Sequence, residues 1–215
     1  MKKKSILPVL TALFILVSIS AKAQSSGAYA IVEGMFKYNS TSTRDGQNNI
    51  VSQDVSTMGA SIGVGYLASP NNDGQGVSIG VEFEIATQNN SYTNITGMPD
   101  TKEKMTAAAL VLGYHLAVIP RLYYVPQLSV GLPNSEPSQY VEAYQKWYTG
   151  TTVHSVGIEL NLLNFEFKSN DTPLSVRFGM GGITYLNSTA DNVPNPMHTF
   201  AFDLNTFTTS VIYYF

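Results

Sequence analysis

The sequence predicts an all-β protein, an eight-stranded antiparallel up-and-down barrel. Two observations carry this prediction. Most of the chain alternates apolar residues with small or polar ones, which is the period of a strand with two different faces. The connections between the alternating segments are in turn long and short, as in a meander that closes into a barrel. A chain of 215 residues suits one such domain.

Eight segments show the alternation. Their approximate bounds are residues 28–38, 57–68, 76–87, 105–119, 121–132, 152–167, 173–185 and 200–215. The long connections, rich in Asn, Ser, Thr, Asp and Pro, are residues 39–56, 88–104, 133–151 and 186–199, and the short ones are 69–75, Pro120 and 168–172. Both chain ends then lie on the short-turn side. Pro126 inside the fifth segment predicts a local bulge, and a phase change near Leu163 predicts a bulge or the end of the span.

The first residues have the pattern of an export signal. Lys2, Lys3 and Lys4 form a basic start, residues 6–19 are mostly apolar, and Ala21-Lys22-Ala23 has the small-x-small form of a cleavage site. The apolar run is shorter than a membrane-spanning helix needs. We therefore expect a signal peptide at residues 1–23 and a barrel domain at residues 24–215.

Charge and cysteine content exclude several classes of function. The whole chain has 12 basic and 15 acidic residues, and loss of the four lysines of the signal leaves 8 against 15. An acidic chain of this kind has no nucleic-acid footprint. The chain has no cysteine, so disulfides and thiolate metal sites are excluded. No metal-ligand spacing or phosphate-binding glycine loop is found, and we expect neither a metal nor a cofactor.

The composition of the two strand faces indicates which one points outward. In the third segment Val77, Ile79 and Val81 alternate with Ser78 and Gly80. Only 13% of the residues are charged, against about 25% in soluble proteins. The small-residue face therefore suits the narrow interior of an eight-stranded barrel better than a water-facing exterior. We expect the apolar face to point into a membrane, which makes the barrel a transmembrane one.

The last segment ends in an aromatic residue. Phe207, Val211, Tyr213 and Phe215 share one face of it. This strand is similar to the signal by which the outer-membrane assembly machinery recognises its substrates. With it, the chain resembles the eight-stranded outer-membrane barrels of Gram-negative bacteria, the OmpA-like and opacity-like surface proteins with a porin-family barrel domain. The resemblance implies a location in the outer membrane and contact with its lipid, with lipopolysaccharide and with the barrel assembly machinery.

Charged residues on the predicted inner face are the first candidate site. A charge inside a narrow barrel must be paired or hydrated. The set serves either as a polar core that fills the lumen and fixes strand register, or as a narrow cation-preferring path. Its members are Glu33, Lys37, Glu82, Glu84, His115, Arg121, Glu159 and Arg177.

The third long connection is the second candidate site. Tyr140, Tyr144 and Trp147 recur at helical spacing, with Pro137 before them and Gly150 after. This pattern predicts a short surface helix. Its aromatic face is expected either to bind an extracellular ligand, since exposed Tyr and Trp are common anchors, or to fold onto the rim of the barrel.

Three functions remain open at this point. The first is a structural or surface-interaction protein that supports envelope integrity or adhesion. The second is a narrow ion or small-solute channel. The third is a soluble secreted lipocalin-like carrier with its apolar face inward. Catalysis is not expected, because His154 and Ser155 are neighbours on one strand and point to opposite faces.

Overall fold

The computed structural model describes residues 27–44, 50–69, 74–93, 100–141, 146–169, 171–190 and 196–215, so the predicted signal peptide lies outside the described residues. The described chain is almost entirely β-strand. Its strands are β1 (Gly27–Arg44), β2 (Ile50–Ala68), β3 (Gly76–Thr93), β4 (Thr101–Ile119), β5 (Leu122–Tyr124), β6 (Gln127–Gly131), β7 (Asn134–Val141), β8 (Lys146–Thr149), β9 (Val153–Asn161), β10 (Leu163–Lys168), β11 (Leu174–Ala190) and β12 (Met197–Tyr214).

The twelve strands form a closed antiparallel ring with eight walls. β1 pairs with β2 and β12, β2 with β3, and β3 with β4, while β11 pairs with β12. The fifth wall consists of β5, β6 and β7, which pair in succession along β4. The sixth contains β8, β9 and β10, of which β9 and β10 pair with β11. The β5–β10 and β6–β9 pairings close the ring. The predicted eight-stranded up-and-down barrel is confirmed.

The strands run further than the alternation predicted on the side of the long connections. β1 and β2 stay in register from Gly27 opposite Leu67 to Arg44 opposite Ile50. β3 and β4 pair as far as Asn90 opposite Thr101. Much of each long connection is therefore a paired hairpin of polar residues. The sequence pattern missed these extensions because polar residues on both faces leave no apolar alternation.

Both predicted irregularities are present, and a third lies beside them. The fifth wall breaks between β5 and β6 at Val125 and Pro126, because proline has no amide hydrogen for the ladder. The sixth wall breaks at Leu162, where Leu162 and Leu163 are both exposed in succession. β11 shifts register at Gly181, which has a φ of 64°. Three neighbouring walls thus bend at adjacent levels, as bulges do.

The predicted surface helix is wrong. The backbone from Asn134 to Val141 forms β7, which pairs with β4 and with β8. Tyr140 and Trp147 are opposite each other in the β7–β8 ladder, and Gly150 donates its amide to the carbonyl of Pro137 at 2.7 Å. The neighbouring β4 supplies backbone partners that an isolated helix would have to find internally, and this overrides a helical spacing of a few aromatics.

The outward face of the barrel is apolar, as the face composition predicted. Val77, Ile79, Val81, Phe83 and Ile85 of β3 are all about half exposed or more. Buried side chains are few and point inward; one small cluster consists of Tyr29, Ile31, Leu67, Ile212 and Tyr214. The tight inner space explains the small residues of the inner face.

No helix in the part of the chain that the structure describes is long and apolar enough to cross a membrane.

Candidate functional site

The end of the lumen near the short turns is filled by side chains. The Lys168 ammonium lies 4.5 Å from the centre of the Tyr123 ring and 4.8 Å from that of Tyr214. It also donates to the carbonyl of Gly74 at 3.4 Å. Gly74 has a φ of 80°, in the left-handed region that favours glycine. Cation–π contacts and a turn backbone therefore cover this mouth of the barrel.

A buried polar network lies directly above this cover. Glu166 is fully buried and accepts a hydrogen bond from the guanidinium of Arg177 at 2.9 Å and another from the Tyr214 hydroxyl at 2.7 Å. The His115 Nδ1 is 3.6 Å from the same carboxylate, and its Nε2 is 3.1 Å from the Ser78 hydroxyl. We call Glu166, Arg177, His115 and Tyr214 the plug. Each charge in it faces an opposite charge or a hydrogen-bond donor, as burial demands.

A cavity of about 100 Å³ lies on the long-hairpin side of the plug. Its lining includes four carboxylates and, among the described residues, no Lys, Arg or His. We call it the acidic chamber. Glu84 and Arg177 lie at different levels, since Arg177 is three residues from the start of β11 and Glu84 is eight from the start of β3. Glu33 borders the plug, because Ser210 is opposite both Glu33 and Arg177. The four carboxylates belong to Glu33, Glu82, Glu84 and Glu159.

Glycines on the facing strands give these side chains their space. A Cβ at Gly63 would lie 2.5 Å from the Cγ of Glu82 and 2.7 Å from the carbonyl oxygen of Val81. A Cβ at Gly80 would lie 2.8 Å from the Tyr29 hydroxyl, near the cover. The small inner face that the sequence shows is therefore what admits large polar side chains into a narrow barrel.

The floor of the chamber lies at the bend of the three walls. Asn164, which is buried, donates its amide to the Gln127 side chain at 2.9 Å, and both residues line the chamber. Asn161 and Gly181 line it as well. The bulges thus re-aim short polar side chains toward the interior at this level. The amide pair separates the plug from the acidic chamber.

An ion pair lies further toward the hairpins. Lys37 of β1 contacts the Asp203 carboxylate of β12, with side chains 32% and 17% exposed. Asp203 also accepts from the amide of Asn205 and from the hydroxyl of Thr206. Lys37 therefore forms its ion pair with Asp203, while its charge also acts on Glu159 from further away.

Seven of the eight charged residues predicted for the lumen lie inside the barrel, and one does not. Arg121 is exposed in the turn between β4 and β5 with a φ of 73°. The alternation was extended one residue too far: β4 ends at Ile119, and the Pro120–Arg121 turn lies beyond the lumen. The residues placed inside are Glu33, Lys37, Glu82, Glu84, His115, Glu159 and Arg177.

The sequence reasoning missed Glu166, the central residue of the plug. The alternation places odd-numbered residues such as Glu159 inward, and beyond the phase change predicted near Leu163 no inward residue was assigned. The break at Leu162 reverses the phase, so that Asn164 and Glu166 point inward. The alternation of Glu166 with the aromatic residues Phe165 and Phe167 was the signal that would have found it. Asp203 was missed too, because it lies among outward aromatics in the last segment.

The residues of the predicted assembly signal lie at the end of the last strand. Phe207 and Val211 point outward from β12, and the rings of Tyr213 and Phe215 are 5.1 Å apart in an edge contact. Tyr140 and Trp147 are known here by their backbone pairing alone, and Tyr144 lies outside the described residues.

The neighbouring His154 and Ser155 do not assemble into a catalytic pair. The ring of exposed His154 bonds Asn134 at 2.7 Å. The hydroxyl of Ser155 bonds Ser188 at 2.8 Å. The two side chains therefore have separate partners on separate faces of β9.

The comparisons with known proteins concern the fold alone. No protein-family profile matches the chain, and no curated protein matches its sequence. Neisserial surface protein A is 14% identical, with a TM-score of 0.47 over 88% of this chain and 99% of its own. The β domain of the Bordetella autotransporter BrkA is 10% identical, with a TM-score of 0.33 over 88% and 100%.

A third solved structure shows a similar degree of likeness. The translocator domain of the autotransporter NalP from Neisseria meningitidis is 9% identical, with a TM-score of 0.32 over 97% of this chain and 94% of its own. At these values the comparisons assign no function to this chain. The barrel itself, built strand by strand from the pairings above, is what the present chain shares with the outer-membrane barrels that its sequence resembles.

Proposed function

We propose that this chain is an integral outer-membrane barrel whose role is structural or surface-directed, in envelope integrity or adhesion. The observation that carries the proposal is the apolar outer surface. On β3 the five outward residues from Val77 to Ile85 are all large and apolar. The segment that they span is nine residues long, which matches the length of about 9–11 residues with which a tilted strand crosses a bilayer. A closed barrel leaves no unpaired edge in the hydrocarbon.

Aromatic side chains at both ends of this apolar belt support the proposal. Toward the short turns, Tyr124 lies 5.7 Å from Phe165 between ring centres. Toward the hairpins, Tyr185 stacks on His198 at 6.2 Å, and its hydroxyl is 2.9 Å from the imidazole Nδ1. Amphipathic rings at two levels fit the two membrane–water boundaries.

The channel hypothesis is less well supported. The plug fills the lumen between the acidic chamber and the short turns, and Glu166 and His115 in it are fully buried. A passage would require the Glu166–Arg177 pair to separate and the Lys168 side chain to leave its two aromatic rings. We therefore place function at the outer surface.

The soluble-carrier hypothesis conflicts with the arrangement of the faces. A lipocalin-like carrier needs an apolar cavity and a water-facing exterior. Here the cavity contains four glutamates, and Ile62, Phe83 and Ile85 are each 60% exposed or more on the outside.

The paired hairpins are where we propose recognition to occur. They carry polar residues beyond the apolar belt, for example from Gln88 opposite Glu103 to Asn90 opposite Thr101. We propose lipid, lipopolysaccharide and the assembly machinery as partners of the barrel, and an extracellular ligand as a partner of the hairpins. We further propose a non-enzymatic role for the chain.

Fractionation tests the membrane assignment. We expect the protein in the outer-membrane fraction and faster migration of unheated than heated samples in SDS gels, because a closed barrel resists SDS until boiled. Recovery in the soluble periplasm without a heat-dependent shift would contradict the proposal. Ile62→Arg on the outward face should lower the free energy of unfolding by about 2–4 kcal/mol if Ile62 faces mid-bilayer lipid, whereas Asn89→Arg on a hairpin should leave it unchanged.

Cysteine labelling tests the orientation, since the chain contains no native cysteine. Asp100→Cys adjoins a long connection and Thr172→Cys lies in a short turn; both positions are exposed. A membrane-impermeant maleimide should label Asp100→Cys on intact cells and Thr172→Cys only after lysis. The reverse labelling pattern would place the hairpins in the periplasm and would contradict a role at the cell surface.

Adhesion is tested by deletion of residues 135–149. Adherence of expressing cells to immobilised mucin should fall, while the heat-dependent gel shift is retained. A matched deletion in the β1–β2 hairpin, residues 41–52, separates loss of one recognition element from general loss of surface structure. If neither deletion changes adherence, but loss of the whole protein sensitises cells to detergent, the envelope-integrity role is the correct one.

A further inference from the structure

The acidic chamber has a charge imbalance that the rest of the barrel does not have. Glu33, Glu82, Glu84 and Glu159 line one cavity. Two cationic side chains act on these carboxylates from a distance but form their ion pairs with other residues: Arg177 with Glu166, and Lys37 with Asp203. Buried carboxylates without a counter-charge are costly, so the chamber favours either protonation of the carboxyl groups or a cation from outside the chain.

A second observation, independent of the carboxylates, points into the same cavity. Ser61 is 7% exposed and lines the chamber, and its hydroxyl has no hydrogen-bond partner among the described residues. Buried hydroxyls nearly always have one. In the strand register Ser61 lies between Glu33 of β1 and Glu84 of β3. The Ser61 hydroxyl therefore borders the same space as the carboxylates of Glu33 and Glu84.

The described polar groups next to Ser61 do not provide a hydrogen-bond partner for its hydroxyl. Ser210, on the other side of Glu33, donates its hydroxyl to that carboxylate. This leaves the Ser61 oxygen and the remaining carboxylate oxygens as a set of hard oxygen ligands around one space. Oxygen ligands of this kind suit Mg²⁺ and Ca²⁺.

The spacing of these oxygen ligands determines whether an ion is bound directly or through water. Within the described ranges no three His, Cys, Asp or Glu side chains converge closely enough to chelate a metal directly. The cavity of about 100 Å³ has room for water between an ion and the carboxylates. Mg²⁺ in particular keeps several of its waters when bound by proteins.

We propose that the acidic chamber binds one partly hydrated divalent cation, held by Glu33, Glu84 and the Ser61 hydroxyl, with Glu82 and Glu159 supplying further negative charge. The ion enters from the long-hairpin side, because the plug closes the other. This site is distinct from the surface role proposed above and does not depend on it.

Calorimetric titration of the full barrel tests the site. The protein is refolded in a non-ionic detergent without lipopolysaccharide, stripped with chelator and titrated with MgCl₂ or CaCl₂ at constant NaCl concentration. We expect saturable binding of one ion per barrel. Glu84→Gln and Glu33→Gln should each weaken it at least tenfold, and Ser61→Ala several-fold.

Two variants serve as matched controls. Ser175→Ala removes another buried hydroxyl without a hydrogen-bond partner, but one outside the chamber, and Glu136→Gln removes an exposed carboxylate on a hairpin. Both should bind as the parent does. The heat-dependent gel shift shows that each variant is folded, and Ser61→Ala, the mildest change, keeps the test valid if a glutamate variant is not.

Three results would overturn the proposal. One is the absence of saturable binding, which would mean that protons neutralise the carboxylates. Another is unchanged binding in Glu84→Gln together with loss in Glu136→Gln, which would place the ion on the surface. The third is equal weakening by Ser61→Ala and Ser175→Ala, which would reduce the effect to general loosening of the lumen.

Discussion

The two halves of the lumen solve the same electrostatic problem in opposite ways. In the plug, Glu166 is matched by Arg177, by the Tyr214 hydroxyl and by the nearby His115. In the acidic chamber, four glutamates share a cavity without a basic residue among its described lining. Both halves arise from the same strand pattern, in which every second residue points inward.

The contrast between the plug and the acidic chamber shows that an inward position does not by itself give a charged side chain a partner of opposite charge. Register decides pairing: Glu166 is directly opposite Arg177 on the neighbouring strand, whereas Glu82 is opposite Gly63 and Ala109. A carboxylate next to a cation fills and rigidifies the lumen. A carboxylate next to glycine or alanine borders an open space, and such a space is where a ligand can enter.

The largest expected effect comes from the plug. Glu166→Gln leaves the Arg177 guanidinium buried without a counter-charge and should lower the free energy of unfolding by about 3–5 kcal/mol. Glu82→Gln in the chamber removes one of four like charges and should leave stability unchanged or raise it. Urea titration of the heat-shifted gel band in metal-free buffer measures both. Equal losses in the two variants would remove the distinction between the halves.

The next effect comes from the chamber wall. Gly63→Ala should cost about 1–3 kcal/mol, because the added Cβ would press on the Cγ of Glu82 and on a backbone carbonyl. Gly34→Ala is the matched control, since a Cβ there would have nothing within 4 Å. The same urea titration separates them. If Gly34→Ala proved as costly, backbone freedom and not chamber space would be the cause.

A smaller effect is expected at the boundary between the halves. Asn164→Ala removes the hydrogen bond to Gln127 from a buried position, which should cost about 1 kcal/mol. Asn90→Ala removes a bond of equal length, 2.9 Å to Thr101, in a less buried part of a hairpin. We expect the smaller loss there, because water replaces the lost partner. A larger loss in Asn90→Ala would show that the hairpins, not the floor of the chamber, limit stability.

The smallest loss of stability is expected for the ion pair between Lys37 and Asp203. Lys37→Ala should cost no more than about 1 kcal/mol, because both side chains are partly exposed to water. The difference from the parent should shrink further in concentrated salt, which screens exposed charges. Thermal unfolding at low and high NaCl concentration measures this. A loss of several kcal/mol that does not depend on salt would show that this pair behaves like the buried Glu166–Arg177 pair of the plug.

The sequence predicted which face of most strands points inward, and the physical reason is simple. Outward Tyr66 and Ile62 each follow an inward small residue, Gly65 and Ser61, by one position, and only small residues fit the interior. The same reasoning failed where the period broke. Leu162 and Leu163 are outward in succession, so Glu166 was assigned to no site, and Arg121 was assigned to a lumen that ends before it.

The helix prediction failed for a different reason. Three aromatics at helical spacing are weak evidence over so short a segment, and a strand partner outweighs it. β4 extends past its apolar part to Thr101, and its free backbone groups pair with residues 134–139 of β7. The sequence carries no mark of this pairing, because it joins segments some thirty residues apart.

The sequence by itself determined the architecture: the number of walls, the outward apolar face and the acidic interior all follow from composition and period two. The tertiary structure decided which interior charges meet. Side-chain contacts across a barrel depend on strand register and on bulges, and a register shift of two residues would replace Arg177 by Gly179 opposite the Glu166 carboxylate. That is why Glu166 is part of a closed plug and Glu84 borders an open chamber.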